Sequence, residues 1–212
     1  MAAPCGAARC KGNTAIVRGF FGIGIEGVSK PMNFGNLART AYGFGAAFVF
    51  TVAPTPRLDA PPSDTAGSAN HLPWYSYESV AAMRLPDNCT LVGVELTDEA
   101  VELPSFRHPA GAAYLLGPEG GSLSPAALDA CAHVVRIPTL FCLNVATAGA
   151  IVMYDRVLNL GRFAERPLHV GGQPVAREPV PHGWGRWSGG VRQPGAKGRD
   201  RTGRAGKRLG EE

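Results

Sequence analysis

Arg39 lies six residues after Asn33 in the stretch "NFGNLART" (33–40), on a segment that also carries Leu37, Ala38, Ala41 and Phe44. An arginine beside an apolar stripe either snorkels from a buried stem or aims its planar fork of donors at a phosphate. Two further stretches hold polar groups at comparable places. "LLGPEGGSLSP" (115–125) puts Glu119 inside a glycine-rich turn that follows a strand and runs into a helix. Open α/β sheets bind ligands at such turns. Glu119 is then either a plain turn residue or a carboxylate that orients a ligand or a cation. "RIPTLFCLNVATAG" (136–149) passes through a proline turn to Asn144 at a helix start. Asn144 and Asn33 both read as helix N-caps in their own right. Taken singly, each of these residues has a plain structural explanation.

Other chemistries fit less well. Gly22-x-Gly24-x-x-Gly27 has the spelling of a dinucleotide-binding loop. Such a loop must open a helix directly, so that the helix N-terminus meets a pyrophosphate. Here Val28–Pro31 intervene, and Pro31 biases Lys30 away from helix. The next strand, "FVFTVAP", lacks the acidic residue that the fingerprint needs. The glycines read instead as places where a strand passes close to other backbone. The turn at 117–121 lacks the Lys-Ser/Thr of a P-loop. The five cysteines, Cys5, Cys10, Cys89, Cys131 and Cys142, form no CxxC pair. Free thiols in a reducing cytoplasm are the expectation, with no metal site. Cys142 invites a nucleophile reading, but no paired base accompanies it, and buried structural cysteine is the commoner case.

The elements that must position these residues follow from periodicity and breakers. Residues 20–28 ("FFGIGIEGV") read as a strand, 33–46 as a helix with a glycine-rich end, and 47–52 as a compact buried strand. Residues 54–70 read as a loop and 76–84 ("SYESVAAMR") as a short helix. Strands are expected at 90–96, 112–117 and 133–138. Ser124-Pro125 opens a helix over 125–131, with Ser as cap and Pro in the first turn. A long helix covers 143–163. Strands alternate with helices, so the expected class is α/β with a largely parallel sheet flanked by helices.

The chain has 212 residues and a net charge of +4. The charge is unevenly placed: residues 1–166 hold 12 Lys/Arg against 13 Asp/Glu, and residues 167–212 hold nine against four. Residues 1–16 are expected to be a flexible N-terminus without the apolar region of a signal peptide. Residues 17–163 form the domain, and 164–212 a disordered, basic, Gly/Pro-rich tail. A basic arm suits a polyanion such as RNA. Within it, "HGWGRWSGG" (182–190) sets Trp184 and Trp187 beside Arg186, residues that can stack on unpaired bases; a short partner-binding segment would look the same. No apolar run approaches the roughly 20 residues needed to cross a membrane.

In combination the three stretches are specific. Asn33…Arg39, then Gly117-Pro118-Glu119-Gly120, then Ile137-Pro138…Leu143-Asn144-Val145 resemble the three motifs of the SpoU/TrmH family. That family comprises SPOUT-class RNA ribose 2′-O-methyltransferases, and the resemblance covers residues 17–163. It implies an α/β domain with a deep C-terminal trefoil knot, a homodimer and S-adenosylmethionine as methyl donor. It implies an adenosyl pocket lined around Leu96, Gly117, Glu119, Gly121, Ile137, Cys142 and Leu143. Arg39 would meet the target ribose and adjacent phosphate, with Asn33, Glu119 and Asn144 organising the site around it.

The sequence departs from the family pattern in two places. Cys142 stands where motif three usually has serine, and a thiol is a poorer hydrogen-bonding group than a hydroxyl. Ser122 stands where motif two often has glycine. The implied reaction is attack of a ribose 2′-oxygen on the donor methyl group, an alignment problem above all. The family commonly assigns proton removal to the matching arginine, here Arg39. An arginine ordinarily keeps its proton, so anchoring phosphate and stabilising oxyanion charge is an equal alternative. A compact domain of this kind points to tRNA, with ribosomal RNA as runner-up. A catalytically impaired RNA-binding protein and a base-nitrogen methyltransferase of the same fold are the other readings.

Overall fold

The computed structural model describes residues 19–55, 72–161, 163 and 166–173. Seven strands form one sheet: β1 (Phe20–Glu26), β2 (Phe48–Val52), β3 (Trp74–Tyr77), β4 (Thr90–Val94), β5 (Val101–Glu102), β6 (Gly111–Leu116) and β7 (His133–Arg136). The helices are α1 (Pro31–Gly43), α2 (Pro125–Ala130) and α3 (Val145–Leu160). The strand order is β3-β2-β1-β6-β4-β7-β5. Every pairing is parallel.

Both faces of the sheet are covered, as a parallel sheet requires. Phe21, Ile23 and Ile25 of β1 point to the face packed by α1 and α3, where Phe34, Leu37, Ala41, Val145, Val152 and Met153 complete the core. Phe48, Phe50, Leu91, Leu115, Leu123 and Ala127 fill the other face. The alternation explains the glycines of β1. A Cβ at Gly22 would overlap the Phe48 ring, and one at Gly24 would overlap the carbonyl oxygen and ring of Phe50. The two phenylalanines of β2 therefore lie across β1 where it has no side chains. Gly27, third of the set, turns the chain out of the strand at φ +60°. These glycines make room for packing and do not open a helix.

Two expectations need correction. Residues 76–84 are not a helix. Trp74–Tyr77 form β3, in register with Val49–Val52, and hydrogen-bonded turns at Ser79–Ala82 and Val80–Met83 follow. Tyr77, Val80, Met83 and Leu85 are partly buried against the second core face, so tertiary packing overrides the helical propensity of "ESVAAM". Nor is Asn33 an N-cap. α1 begins at Pro31, with Lys30 extended (φ −113°, ψ 106°) and giving no side-chain cap bond. Proline at the first helical position suits this start, and it leaves the Asn33 side chain for other partners. The remaining strand and helix bounds agree to within one to three residues, and Ser124 caps α2 as expected, its Oγ accepting from Ala127 N at 3.1 Å.

α1 and α3 pack side by side. Gly149 makes this possible, because a Cβ there would overlap Leu37 Cδ1. That close approach brings the N-terminus of α3 to the first turn of α1.

Candidate functional site

The loops after β1, β4, β6 and β7 meet at the C-terminal ends of adjacent strands, where open α/β sheets place ligands. Those after β4, β6 and β7, with the start of α3, line a cavity of about 350 Å³. Leu96, Gly117, Glu119, Gly121, Ile137, Cys142 and Leu143 all line it. The wall also includes Glu95, Ser122, Thr139 and Val145, which complete a mixture of apolar side chains, glycine backbone and two carboxylates. Thr139 Oγ1 donates to Phe141 O at 3.0 Å and tightens the turn that carries Cys142.

Beside the cavity runs a polar chain with a fixed direction. Asn144 Oδ1 caps α3, accepting from Ala146 N at 3.0 Å and Thr147 N at 3.4 Å. Its amide nitrogen must then point away, and it donates to Asn33 Oδ1 at 3.2 Å. That orients Asn33, whose Nδ2 donates to Glu119 Oε1 at 2.8 Å. The second oxygen, Oε2, accepts from Ser29 Oγ at 2.7 Å and Ser29 N at 3.3 Å. An amide has one donor end and one acceptor end, so each link sets the next. Burial pushes the Glu119 carboxyl up, yet the bonds from Asn33 and Ser29 together outweigh it and hold its pKa below the ordinary value. Three residues far apart in sequence, Asn33, Glu119 and Asn144, thus form one unit.

Two more carboxylates fix the glycine-rich loop. Glu26, the last residue of β1 and itself buried, accepts from Ser124 N at 2.8 Å and Ser124 Oγ at 2.6 Å. Glu95 accepts from Leu123 N at 2.7 Å and Leu96 N at 2.9 Å. Sequence reasoning missed Glu26, Glu95 and Ser29. The signal was present for the first two: each ends an apolar strand run, "FFGIGIE" and "TLVGVE".

Arg39 is exposed on α1 and is not among the cavity-lining residues. Six residues of helix carry it about 9 Å along the axis from Asn33. Trp184, Arg186 and Trp187 lie outside the described residues. Among the described residues no group of three or more His, Cys, Asp or Glu is placed to hold a metal, and no helix is long and apolar enough to cross a membrane.

The SpoU rRNA Methylase family model matches residues 21–154, which span every element of the site. The chain belongs to that family. The 23S rRNA (guanosine-2′-O-)-methyltransferase RlmB of Burkholderia sp is 31% identical over 144 residues, covering 64% of this chain and 58% of the relative. The tRNA (guanosine(18)-2′-O)-methyltransferase of Escherichia coli K12 is 25% identical over 185 residues, covering 74% of this chain and 81% of that protein. Among solved structures, the SpoU methyltransferase AviRb of Streptomyces viridochromogenes superposes with a TM-score of 0.57 at 24% identity, covering 68% of this chain and 61% of AviRb. AviRb has also been solved in complex with the cofactor AdoMet. A structure concerned with 2-OH methylation of C/U34 on tRNA gives a TM-score of 0.59 at 25% identity, covering 67% of this chain and 97% of that one. The chain therefore spans about 58% of the RlmB relative and about 61% of AviRb.

Proposed function

We propose that this protein transfers a methyl group from S-adenosylmethionine to a ribose 2′-hydroxyl of RNA. The observation that carries the reading is the Asn144–Asn33–Glu119 chain beside the cavity, in a domain of the SpoU family. The cavity suits the donor. Its volume of about 350 Å³ falls in the range of small-molecule sites. Leu96, Ile137 and Leu143 offer apolar surface for a purine, the glycine-rich loop offers backbone, and two carboxylates face a cationic ligand.

The bound donor supplies an electrophilic methyl group on a positively charged sulfur. The protein's share is alignment. Glu119, held from two sides, fixes the loop over the cavity relative to α1. Asn144 and Asn33 lock the starts of α3 and α1 to that loop, so that α1 presents Arg39 at a set distance. Arg39 binds the target ribose and its neighbouring phosphate and serves as the activating group for the 2′-oxygen. Rigid placement of this kind contributes several kcal/mol to such reactions.

Among RNA classes, tRNA is the first choice. The relatives matched over most of their own length, the E. coli enzyme and the C/U34 structure, are named for tRNA, whereas the ribosomal relative is matched over 58%. The basic residues of 167–212, with Trp184, Arg186 and Trp187, would supply additional grip on RNA.

The knot and the homodimer belong to the same reading. β4, β6 and β7 are neighbouring parallel strands whose following loops all enter one cavity, an arrangement that suits a threaded C-terminal segment. Met32 of α1 and Tyr154 and Leu158 of α3 are exposed apolar residues on two helices packed together, a surface suited to a second copy. Cys89, Cys131 and Cys142 are free thiols, which suits the cytoplasm.

The test is transfer of labelled methyl from S-adenosylmethionine to fractionated tRNA and ribosomal RNA, with Arg39→Ala beside wild type. Label in tRNA that is lost in the variant supports the reading. Donor binding without label in any RNA would favour a binding protein of the same fold.

A further inference from the structure

Glu95 is the first residue after β4 and stands in the cavity wall. Each of its oxygens takes one backbone N–H, from Leu96 at 2.9 Å and Leu123 at 2.7 Å. A carboxylate oxygen accepts more than one such bond, so each oxygen of this wall residue keeps acceptor capacity. The same two bonds stop the side chain from swinging into solvent. Gly117 makes room for it, since a Cβ there would lie 3.2 Å from Glu95 Oε2. The charge is therefore fixed in place before any ligand arrives, the condition under which an electrostatic contribution carries no reorganisation cost.

The surroundings strengthen that field. Glu95 and Glu119 are the only charged side chains among the described wall residues. Glu119 has both oxygens engaged by Asn33 and Ser29 side chains, whereas Glu95 is met only by backbone. Leu96, Leu116, Ile137, Leu143 and Val145 line the same wall, and apolar walls keep a charge from being screened.

We propose that Glu95 is the charge-selecting residue of this cavity: its carboxylate favours a ligand bearing a sulfonium cation over the neutral thioether that remains after methyl transfer. The inference rests on the methyl-donor reading above. It assigns Glu95 two tasks, holding the glycine-rich loop at Leu123 and biasing occupancy towards the charged donor and against the spent product. Only the second is a matter of ligand charge.

The experiment is calorimetric titration of S-adenosylmethionine and S-adenosylhomocysteine into wild type, Glu95→Gln, Glu95→Ala and Glu95→Asp, each checked for folding by thermal unfolding. The readout is the ratio of the two dissociation constants. A purely structural role would weaken both ligands alike and leave the ratio still. Charge selection lowers the preference for the sulfonium ligand by roughly three- to tenfold in Glu95→Gln, for unit charges several ångströms apart at a partly screened site. Glu95→Ala repeats the test without the donor–donor contact that glutamine could make with Leu96 N. Glu95→Asp keeps the charge and holds the ratio within about twofold of wild type. An unchanged ratio in the neutral variants, or an equal change in Glu95→Asp, overturns the inference while leaving the donor reading standing. Binding of neither ligand to wild type overturns both.

Discussion

Asn33→Asp changes one atom type at the centre of the polar chain and is the sharpest perturbation of it. The amide nitrogen that donates to Glu119 Oε1 at 2.8 Å becomes an oxygen. One hydrogen bond is lost, worth about 1 kcal/mol net at a half-exposed position. Two carboxylates then stand about 4 Å apart, and at an effective dielectric constant of about 40 their repulsion is about 2 kcal/mol. The acceptor for Asn144 survives, so the rest of the chain is untouched. The total, about 3 kcal/mol, corresponds to a fall in melting temperature of roughly 6–12 °C for a domain of this size. The loss must depend on pH. The paired carboxyls take up a proton more readily than either alone, so the variant approaches wild type as the pH falls through the carboxylate range. It must also be reversed by Glu119→Gln, which restores a donor–acceptor pair of opposite polarity while its other end still accepts from Ser29. Thermal unfolding of the two single variants and the double variant from pH 4 to pH 8 reads this directly. Equal losses for Asn33→Asp with and without Glu119→Gln would refute the directed chain, as would a loss that ignores pH.

Three further outcomes follow from the same structure. Gly24→Ala forces a Cβ into the Phe50 carbonyl oxygen and ring and costs about 3 kcal/mol or more by chemical unfolding, whereas Gly120→Ala, with nothing within 4 Å, stays within about 0.5 kcal/mol; equal effects would contradict the packing of β1 on β2. His108 accepts from Tyr114 OH on Nδ1 at 2.6 Å and donates from Nε2 to Asp155 at 2.9 Å, with Arg156 donating to the same phenol. Burial pushes its pKa below 6.5 against the opposing pull of Asp155. The unfolded chain then binds that proton first, so stability falls as the pH drops below about 6.5 and levels off beneath the lowered native value; His108→Gln should flatten the slope of urea midpoints in that window, and an unchanged slope would contradict it. Deleting residues 167–212 should weaken RNA binding and reduce its salt dependence while leaving donor affinity intact; unchanged RNA affinity would reject a role for the basic segment.

The parallel α/β class was legible because apolar runs and helical stripes alternate strongly, and the caps Ser124 and Asn144 were legible because their side chains act within their own turn. The three motif stretches pointed to one place, and the structure brings Asn33, Glu119 and Asn144 into contact there. What sequence concealed depends on which loops meet. Glu26 and Ser124 are 98 positions apart, and Ser29 and Glu119 are 90 apart. No local pattern announces such pairs. β3 was hidden for a related reason: it is only four residues long and gains its identity by pairing with β2, while the helix-favouring run "ESVAAM" directly after it masks its end. Arg156 is a third case. It is fully buried among Phe20 O, Pro109 O, Ala110 O and the Tyr114 hydroxyl, yet in sequence it is one of two adjacent charges, with Asp155, on an otherwise apolar helix.

The most direct test of the central claim is the position of the transferred methyl group. RNA labelled by the protein from S-adenosylmethionine would be hydrolysed in alkali, which needs a free 2′-hydroxyl to cleave the adjacent phosphodiester. A methyl group on the ribose oxygen blocks that cleavage, so the account predicts label in alkali-resistant dinucleotides, absent with Arg39→Ala. Label recovered in ordinary mononucleotides would place the methyl on a base and contradict the account.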